Sequence, residues 1–117
     1  MPSKRQIIER MFDAIDSRRF DALEQLFAPG CRYERPGYPP IEGAAALLHF
    51  YEHERVIASG AHTIQKLVEA DGQAAVAGAF QGTLRDGSAT ALEFADHYGF
   101  ESDRIAWRKS YFFTPLV

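Results

Sequence analysis

Apolar positions recur at helical spacing in the first half of the chain and alternate in the second. Ile7, Ile8, Met11, Phe12 and Ile15 mark one face of a helix over residues 3–17. Ser3 followed by Gln6 is a capping-box pattern at its start. A second, short helix is predicted from Asp21 to Phe27, with Leu23, Leu26 and Phe27 apolar and Pro29-Gly30 as the stop. Cys31 to Arg35 reads as a short strand, followed by the stiff loop Pro36-Gly37-Tyr38-Pro39-Pro40. A third helix is predicted from Ala44 to Ala58. Its inward stripe is Leu47, Leu48, Tyr51 and Ala58, and Gly60 closes it.

From there the pattern is extended. His62–Glu69, Gln73–Leu84, Ser88–Tyr98 and Arg104–Phe113 are separated by Asp71-Gly72, Asp86-Gly87 and Glu101-Ser102-Asp103. Asp-Gly between extended runs is a hairpin signal, because both central turn positions need the left-handed region. The expected fold is α+β: a curved antiparallel sheet wrapped on three N-terminal helices. A strongly curved sheet covered by three helices leaves a cone-shaped hollow, one internal pocket. Gly78, Gly82 and Ala106 suit bends or a cavity wall. At 117 residues the chain fits one domain, 1–117, with one core.

Composition narrows the function classes. Nine Phe, five Tyr and one Trp are enough for a core plus an aromatic-lined cavity. Net charge is −3 and no Lys/Arg run occurs, which argues against nucleic-acid binding and against anionic membrane surfaces. Cys31 is the only cysteine, so an internal disulfide and a Cys-rich metal site are both excluded. The start, Met-Pro-Ser-Lys-Arg-Gln, lacks the apolar run of a signal peptide, so a cytoplasmic location is expected. No Ser-His-Asp order, phosphate-binding loop or dinucleotide glycine pattern occurs, and no cofactor is expected.

Two stretches carry a family resemblance. They are Phe-Asp-Ala-Leu-Glu-Gln-Leu-Phe-Ala-Pro-Gly-Cys-Arg-Tyr-Glu-Arg-Pro-Gly early, and Phe-Ala-Asp-His-Tyr-Gly-Phe then Ile-Ala-Trp-Arg-Lys-Ser-Tyr-Phe late. With the order of elements, they resemble the nuclear-transport-factor-2-like superfamily, in its ketosteroid isomerase and SnoaL-like polyketide cyclase branch. The resemblance covers nearly the whole chain. It implies the cystatin-like cone fold and a homodimer formed through the sheet. It is specific for fold and not for activity, since this fold hosts many chemistries. Asp96-His97-Tyr98 falls where ketosteroid isomerases carry Asp-His-Phe, whose aspartic acid donates in the oxyanion hole. Tyr51 falls on a tyrosine of their pocket network. Arg35 before Pro36 replaces their general-base aspartate, and Met11 replaces their oxyanion-hole tyrosine. Limonene epoxide hydrolases use an Arg-x-Asp plus a second Asp, and the matching positions here are Phe80, Gly82 and Ser110. Neither standard activity is therefore expected.

Asp96 is the leading chemical candidate. Alternation puts it on one face with Phe94 and Tyr98, away from Ala95 and His97. Burial between aromatics would raise its pKa and suit acid–base work. The alternative is a structural carboxylate bonded to a neighbouring strand or arginine. The resemblance sets a register in which Arg108, Ser110 and Phe112 face the cavity and Ile105, Trp107, Lys109 and Tyr111 face away. Arg108 then lies near Asp96, as an anion or carbonyl anchor or as a plain salt bridge. That cation favours the carboxylate form, so the sharper expectation is an ionised Asp96, a base or an ion-pair partner. Tyr33 and Arg35 share a face of the first strand and can reach the pocket mouth, or Arg35 can point to solvent. Tyr51 is either a donor into the cavity or a core tyrosine. His49 and His53, four apart, lack an acidic residue to complete a metal site, and none is expected. His62 can face either way, and Cys31 is a small buried residue.

The expected function is a cofactor-independent acid–base enzyme acting on a small, largely apolar carbonyl, epoxide or polyketide-like molecule. Asp96, Arg108 and Tyr51 form its catalytic set. Tyr33, Arg35, Phe80, Phe94, Tyr98, Ser110 and Phe112 form its substrate walls. The alternatives are a non-catalytic small-molecule-binding module and a dimerisation module of the same fold.

Overall fold

A computed structural model describes residues 2–113. Helix α1 (Lys4–Asp16) starts at the capping box expected of Ser3 and Gln6, each side chain bonding the other's backbone N–H. Its buried face is Ile7, Ile8, Met11, Phe12, Ala14 and Ile15. The second helix is broken up. A tight turn at Phe20–Ala22 runs into α2 (Leu23–Leu26), and strand β1 (Phe27–Glu34) begins at once. Pro29-Gly30 therefore lies inside β1 rather than ahead of it, in a stretch where the register with the neighbouring strand shifts. A two-residue strand β2 (Ile41–Glu42) leads into α3 (Ala44–His49) and a wide final turn, Phe50–Glu54, closed by a bond from the Arg55 N–H to the Phe50 carbonyl.

The third helix is thus shorter than its apolar pattern predicts. Arg55 is already extended, and β3 spans Ile57–Ala70, so Ala58 and Gly60 belong to a strand. Strands β4 (Gln73–Leu84), β5 (Ala89–Glu101) and β6 (Arg104–Phe112) complete the hairpins. Gly72 and Gly87 take the positive φ that the two Asp-Gly turns require. The sheet order is β2-β1-β6-β5-β4-β3. The β3–β6 part is antiparallel, as the turn signals predict, but β1 joins β6 in parallel, so the whole sheet is mixed. Only a connection that carries the chain past β2, α3 and three hairpin strands can close a parallel pair of this kind.

The helices cover the concave face, and the core lies between them and the inward residues of β1, β4, β5 and β6. Glycines make room for aromatic rings there. A Cβ at Gly78 would meet the Phe94 ring, and one at Gly60 or Gly82 would meet the Phe80 ring. These bends let the sheet curl and leave a hollow at its wider end. Among the described residues no helix is long and apolar enough to cross a membrane.

Candidate active site

The hollow is a small, partly enclosed pocket walled by residues of β1, the wide turn after α3, β3, β4, β5 and β6. Its cavity volume is about 20 Å³. Its lining is Tyr33, Arg35, Tyr51, Arg55, Ile57, His62, Phe80, Leu92, Phe94, Arg108 and Phe112. Seven of the expected site residues are in that lining: Tyr33, Arg35, Tyr51, Phe80, Phe94, Arg108 and Phe112. Asp96, Tyr98 and Ser110 are not; they lie buried behind Arg108.

Register explains the position of Asp96. On β5 it stands opposite Ser110, and Tyr98 stands opposite Arg108, so Arg108 reaches Asp96 diagonally. The two Asp96 oxygens accept four side-chain bonds. Arg108 donates to Oδ2 from Nε at 3.1 Å and from Nη2 at 2.9 Å. The Tyr98 hydroxyl donates to Oδ2 at 2.7 Å, and the Ser110 hydroxyl donates to Oδ1 at 2.6 Å. A carboxylate occupied in this way is an ion-pair partner. It holds Arg108 in place, the ion-pair role that stood beside the base among its expected roles.

Arg108 passes the arrangement on to the pocket. Its Nη1 donates to the Tyr51 hydroxyl at 3.0 Å, and its guanidinium lies 4.7 Å from the centre of the Tyr33 ring. Burial would lower its pKa, but Asp96 and three nearby tyrosines outweigh burial and hold it well above the ordinary arginine value. Tyr33 behaves differently. Burial pushes its phenol up, but Arg108 and Arg35 override this and draw it below the ordinary tyrosine value. Its hydroxyl accepts from Arg35 Nη1 at 3.2 Å. It also lies 3.1 Å from the Ser110 hydroxyl. Since Ser110 donates its hydrogen to Asp96, Tyr33 donates to Ser110, which gives the relay Tyr33–Ser110–Asp96. For Tyr51, burial is the largest influence and raises the phenol. Burial likewise raises Tyr98 well above the ordinary value, and Asp96 adds to it.

Two lining residues absent from the expected set change the chemistry. His62 turns inward on β3, stacked against Phe12 at 4.6 Å and packed beside Phe80 and Phe94. Its Nδ1 lies 2.6 Å from Asp16 Oδ1, while Asp16 Oδ2 accepts the His62 backbone N–H at 2.8 Å. The carboxylate accepts, so Nδ1 carries the hydrogen and Nε2 keeps the lone pair. Burial lowers the His62 pKa, and Asp16 opposes this only in part. The net result is a neutral imidazole at neutral pH. The sequence carried a signal for this pair. Asp16 follows Phe12 by one helical turn, and His62 shares strand parity with Gly60 and Ile64.

Arg55 is the second. It ends the wide turn after α3, one turn beyond Tyr51, and is 4% exposed. Leu47, Tyr51 and Arg55 follow each other at intervals of four, so the helical stripe pointed at it. Its guanidinium lies 5.3 Å from the Tyr51 ring and 5.9 Å from the Phe80 ring. Burial draws its pKa down to about 10, with Tyr51 opposing and Arg35 contributing. Arg35 sits nearby in a box of Tyr33, Tyr38, Phe50 and Phe112 rings.

The other candidates lie elsewhere. His49, at the end of α3, and His53, in the wide turn after it, are exposed, with ring centres 5.0 Å apart. His97 points out of the sheet onto Trp107 and bonds Gln73. Cys31 is buried, and burial raises its thiol pKa.

This fold and pocket have known relatives. A family model of the SnoaL-like domain matches residues 8–108. An NTF2-like protein of unknown function from Burkholderia pseudomallei K96243 superposes with TM-score 0.86 at 20% identity, over 96% of this chain and 92% of that one. A protein classed as a SnoaL-like polyketide cyclase from Jannaschia sp. CCS1 gives 0.80 at 11% identity, over 97% and 90%. An epoxide hydrolase of the limonene-epoxide-hydrolase-like kind from Mycobacterium tuberculosis gives 0.79 at 13% identity, over 91% and 79%. A search of curated protein sequences finds no significant match. At these identities the structural neighbours speak for the fold alone, while the family model covers most of the sequence: the chain belongs to the SnoaL-like domain family of the NTF2-like superfamily.

Proposed function

We propose that the protein is a cofactor-independent acid–base enzyme of the isomerase, cyclase or hydrolase type, acting on a small carbonyl, epoxide or polyketide-like molecule in this pocket. The observation that carries the reading is the Asp16–His62 pair in the pocket wall, with Nδ1 held at 2.6 Å and Nε2 making no hydrogen bond among the described residues. A neutral imidazole of fixed tautomer is a general base. Here it faces a wall of arginine and tyrosine donors. His62 Nε2 takes a proton from a carbon next to a carbonyl, or from a water. The negative charge that develops is stabilised by Arg108, Tyr51 and Tyr33, which are already oriented by Asp96 and need little reorganisation. The His62 imidazolium then returns that proton to the product, which restores the neutral base. Asp96 is a positioning residue in this scheme. The polyketide cyclase and epoxide hydrolase neighbours are consistent with acid–base chemistry in such a cone.

The test is a screen of enones, epoxides and polyketide mimics with the wild type, His62→Gln and Asp16→Asn. His62→Gln is expected to lose about 10²–10⁴-fold in kcat, the usual share of a general base. The pH profile adds a second readout. A base works when unprotonated, and burial lowers the His62 pKa. Activity should therefore rise with pH along a limb whose midpoint lies below about pH 6.5, the value for an unperturbed histidine. Turnover that survives His62→Gln would overturn the assignment. Ligand binding without turnover in the wild type would leave a binding module instead.

A further inference from the structure

The cations in the pocket wall are not balanced alike. Arg108 has Asp96 at 2.9 Å, with both side chains almost completely buried. Arg35 donates to Tyr33 and is enclosed by aromatic rings. Arg55 is as buried as Arg108, yet among the described residues no carboxylate lies within ion-pairing distance of it, and its Nε has no hydrogen-bond partner. The guanidinium lies over the rings of Tyr51 and Phe80. Its surroundings are cationic too, since Arg85 donates to the Arg55 backbone carbonyl. The neighbouring acids do not relieve it: Glu52 and Glu54 are exposed, and Glu52 pairs with His53.

Burying a guanidinium without a counter-charge is among the costlier arrangements in a folded protein. The fold tolerates it in the wall of a cavity that it shares with the apolar Ile57, Phe80, Leu92 and Phe94 and with the already partnered Arg108. That combination defines a ligand. A planar fork of donors matches a carboxylate better than a spherical anion. One unbalanced cation matches one negative charge, and the aromatic side chains around a cavity of about 20 Å³ have to part for a small flat body to enter.

We infer that the ligand carries a carboxylate, and that Arg55 pairs with it while the apolar walls hold a small unsaturated or aromatic body. This specifies the substrate class of the pocket just proposed as an acid–base site, and it rests on that pocket but not on its having a base. It also revises the expectation of a largely apolar substrate. With the carboxylate on Arg55, the reacting part of the molecule lies toward His62, because both residues flank the Phe80 ring, at 5.9 Å and 4.6 Å.

The test is calorimetric titration of the full chain with benzoate, with its neutral isostere benzamide, and with inorganic phosphate. Wild type, Arg55→Gln, Arg55→Lys and His62→Gln are compared. Benzoate is expected to bind wild type about tenfold or more tightly than benzamide and phosphate, because only the carboxylate restores the missing charge partner. Arg55→Gln should bring the benzoate-to-benzamide ratio to about one, and Arg55→Lys should recover part of it as a charge without the fork. His62→Gln should keep the preference even where it abolishes turnover, which separates this inference from the acid–base reading. The ligand-free proteins give a second readout: Arg55→Gln should melt no lower than wild type, since it removes an uncompensated charge. Equal binding of benzoate and benzamide, a preference for phosphate, or a benzoate preference that survives Arg55→Gln would each overturn the proposal. So would an Arg55→Gln protein that melts lower.

Discussion

Asp96 shows how one residue's role depends on its neighbours. In an otherwise uncharged stretch of strand it has the pattern of a chemical group. The structure surrounds it with four donors and makes it the counter-ion of Arg108. Its side chain is fully buried and that of Arg108 is 4% exposed. Removing the charge from one partner leaves the other in a place water cannot reach. Asp96→Asn is therefore expected to cost about 3–5 kcal/mol in urea unfolding. A double Asp96→Asn, Arg108→Met protein should recover part of that loss, because it removes the stranded cation as well. A single variant within about 1 kcal/mol of wild type would contradict the ion pair's role, since a surface pair typically costs no more than that. Any loss of turnover in Asp96→Asn must be read against this destabilisation, and for that reason His62→Gln is the cleaner test of chemistry.

At the scale of elements, the short third helix makes the site. A regular helix through Ala58 would carry Arg55 on into the next turn. The wide turn instead ends at Glu54, and the chain becomes extended at Arg55 and enters β3 at Ile57. Wide turns of this kind often occur at functional sites, where they redirect side chains. The helix end, with Tyr51 and Arg55, and the β3 strand, with His62, then face the same hollow. The sheet makes its own accommodation on the outer face. Gly99 on β5 lies opposite Trp107 on β6, and a Cβ there would run into the indole ring. Both residues belong to paired strands, so neither backbone can move away easily. Gly99→Ala is expected to lower stability by about 1–3 kcal/mol, the usual cost of overpacking. Thermal unfolding checks this, with Gly99→Ala, Trp107→Ala as the relief variant. No loss in the single variant would mean that the indole moves aside freely.

At the scale of the whole molecule, the sheet has one covered face and one open face. The open face carries a shallow, largely apolar groove with Val68, Ala75, Ala77, Ala95 and Tyr111 along it. Val68 is 66% exposed and Tyr111 51% exposed. Apolar surface left uncovered in this way marks an interaction site. We propose that a second copy of the chain covers it, as the family resemblance implies. Light scattering coupled to size exclusion should give a dimer mass for wild type and a monomer mass for Val68→Lys, Tyr111→Glu. A monomeric wild type would sink the idea.

How much of this was legible follows from the range of each interaction. Capping at Ser3, the apolar stripe of α1 and the three hairpins depend on residues a few positions apart, so the sequence alone determined them. The resemblance added the cone fold, the inward register of Arg108 and the closeness of Asp96 and Arg108, and β5–β6 pairing has both residues where that register puts them. The parallel joining of β1 to β6 was not legible, because it depends on where a long connection returns. The Asp16–His62 pair was legible only as two inward faces, because its members are far apart in the chain and meet when α1 packs on β3. The four-residue spacing from Leu47 and Tyr51 put Arg55 on the inward stripe, but its want of a carboxylate partner belongs to the folded surroundings. Local patterns set which elements form and which of their faces are apolar. Only the packing of helices into a curved sheet decided which polar groups are neutralised behind the wall, as Asp96 is, and which are left facing the cavity, as Arg55 and His62 are. The physical reason is that a charge's role is set by its partners and its burial, and both belong to the folded molecule rather than to the residue.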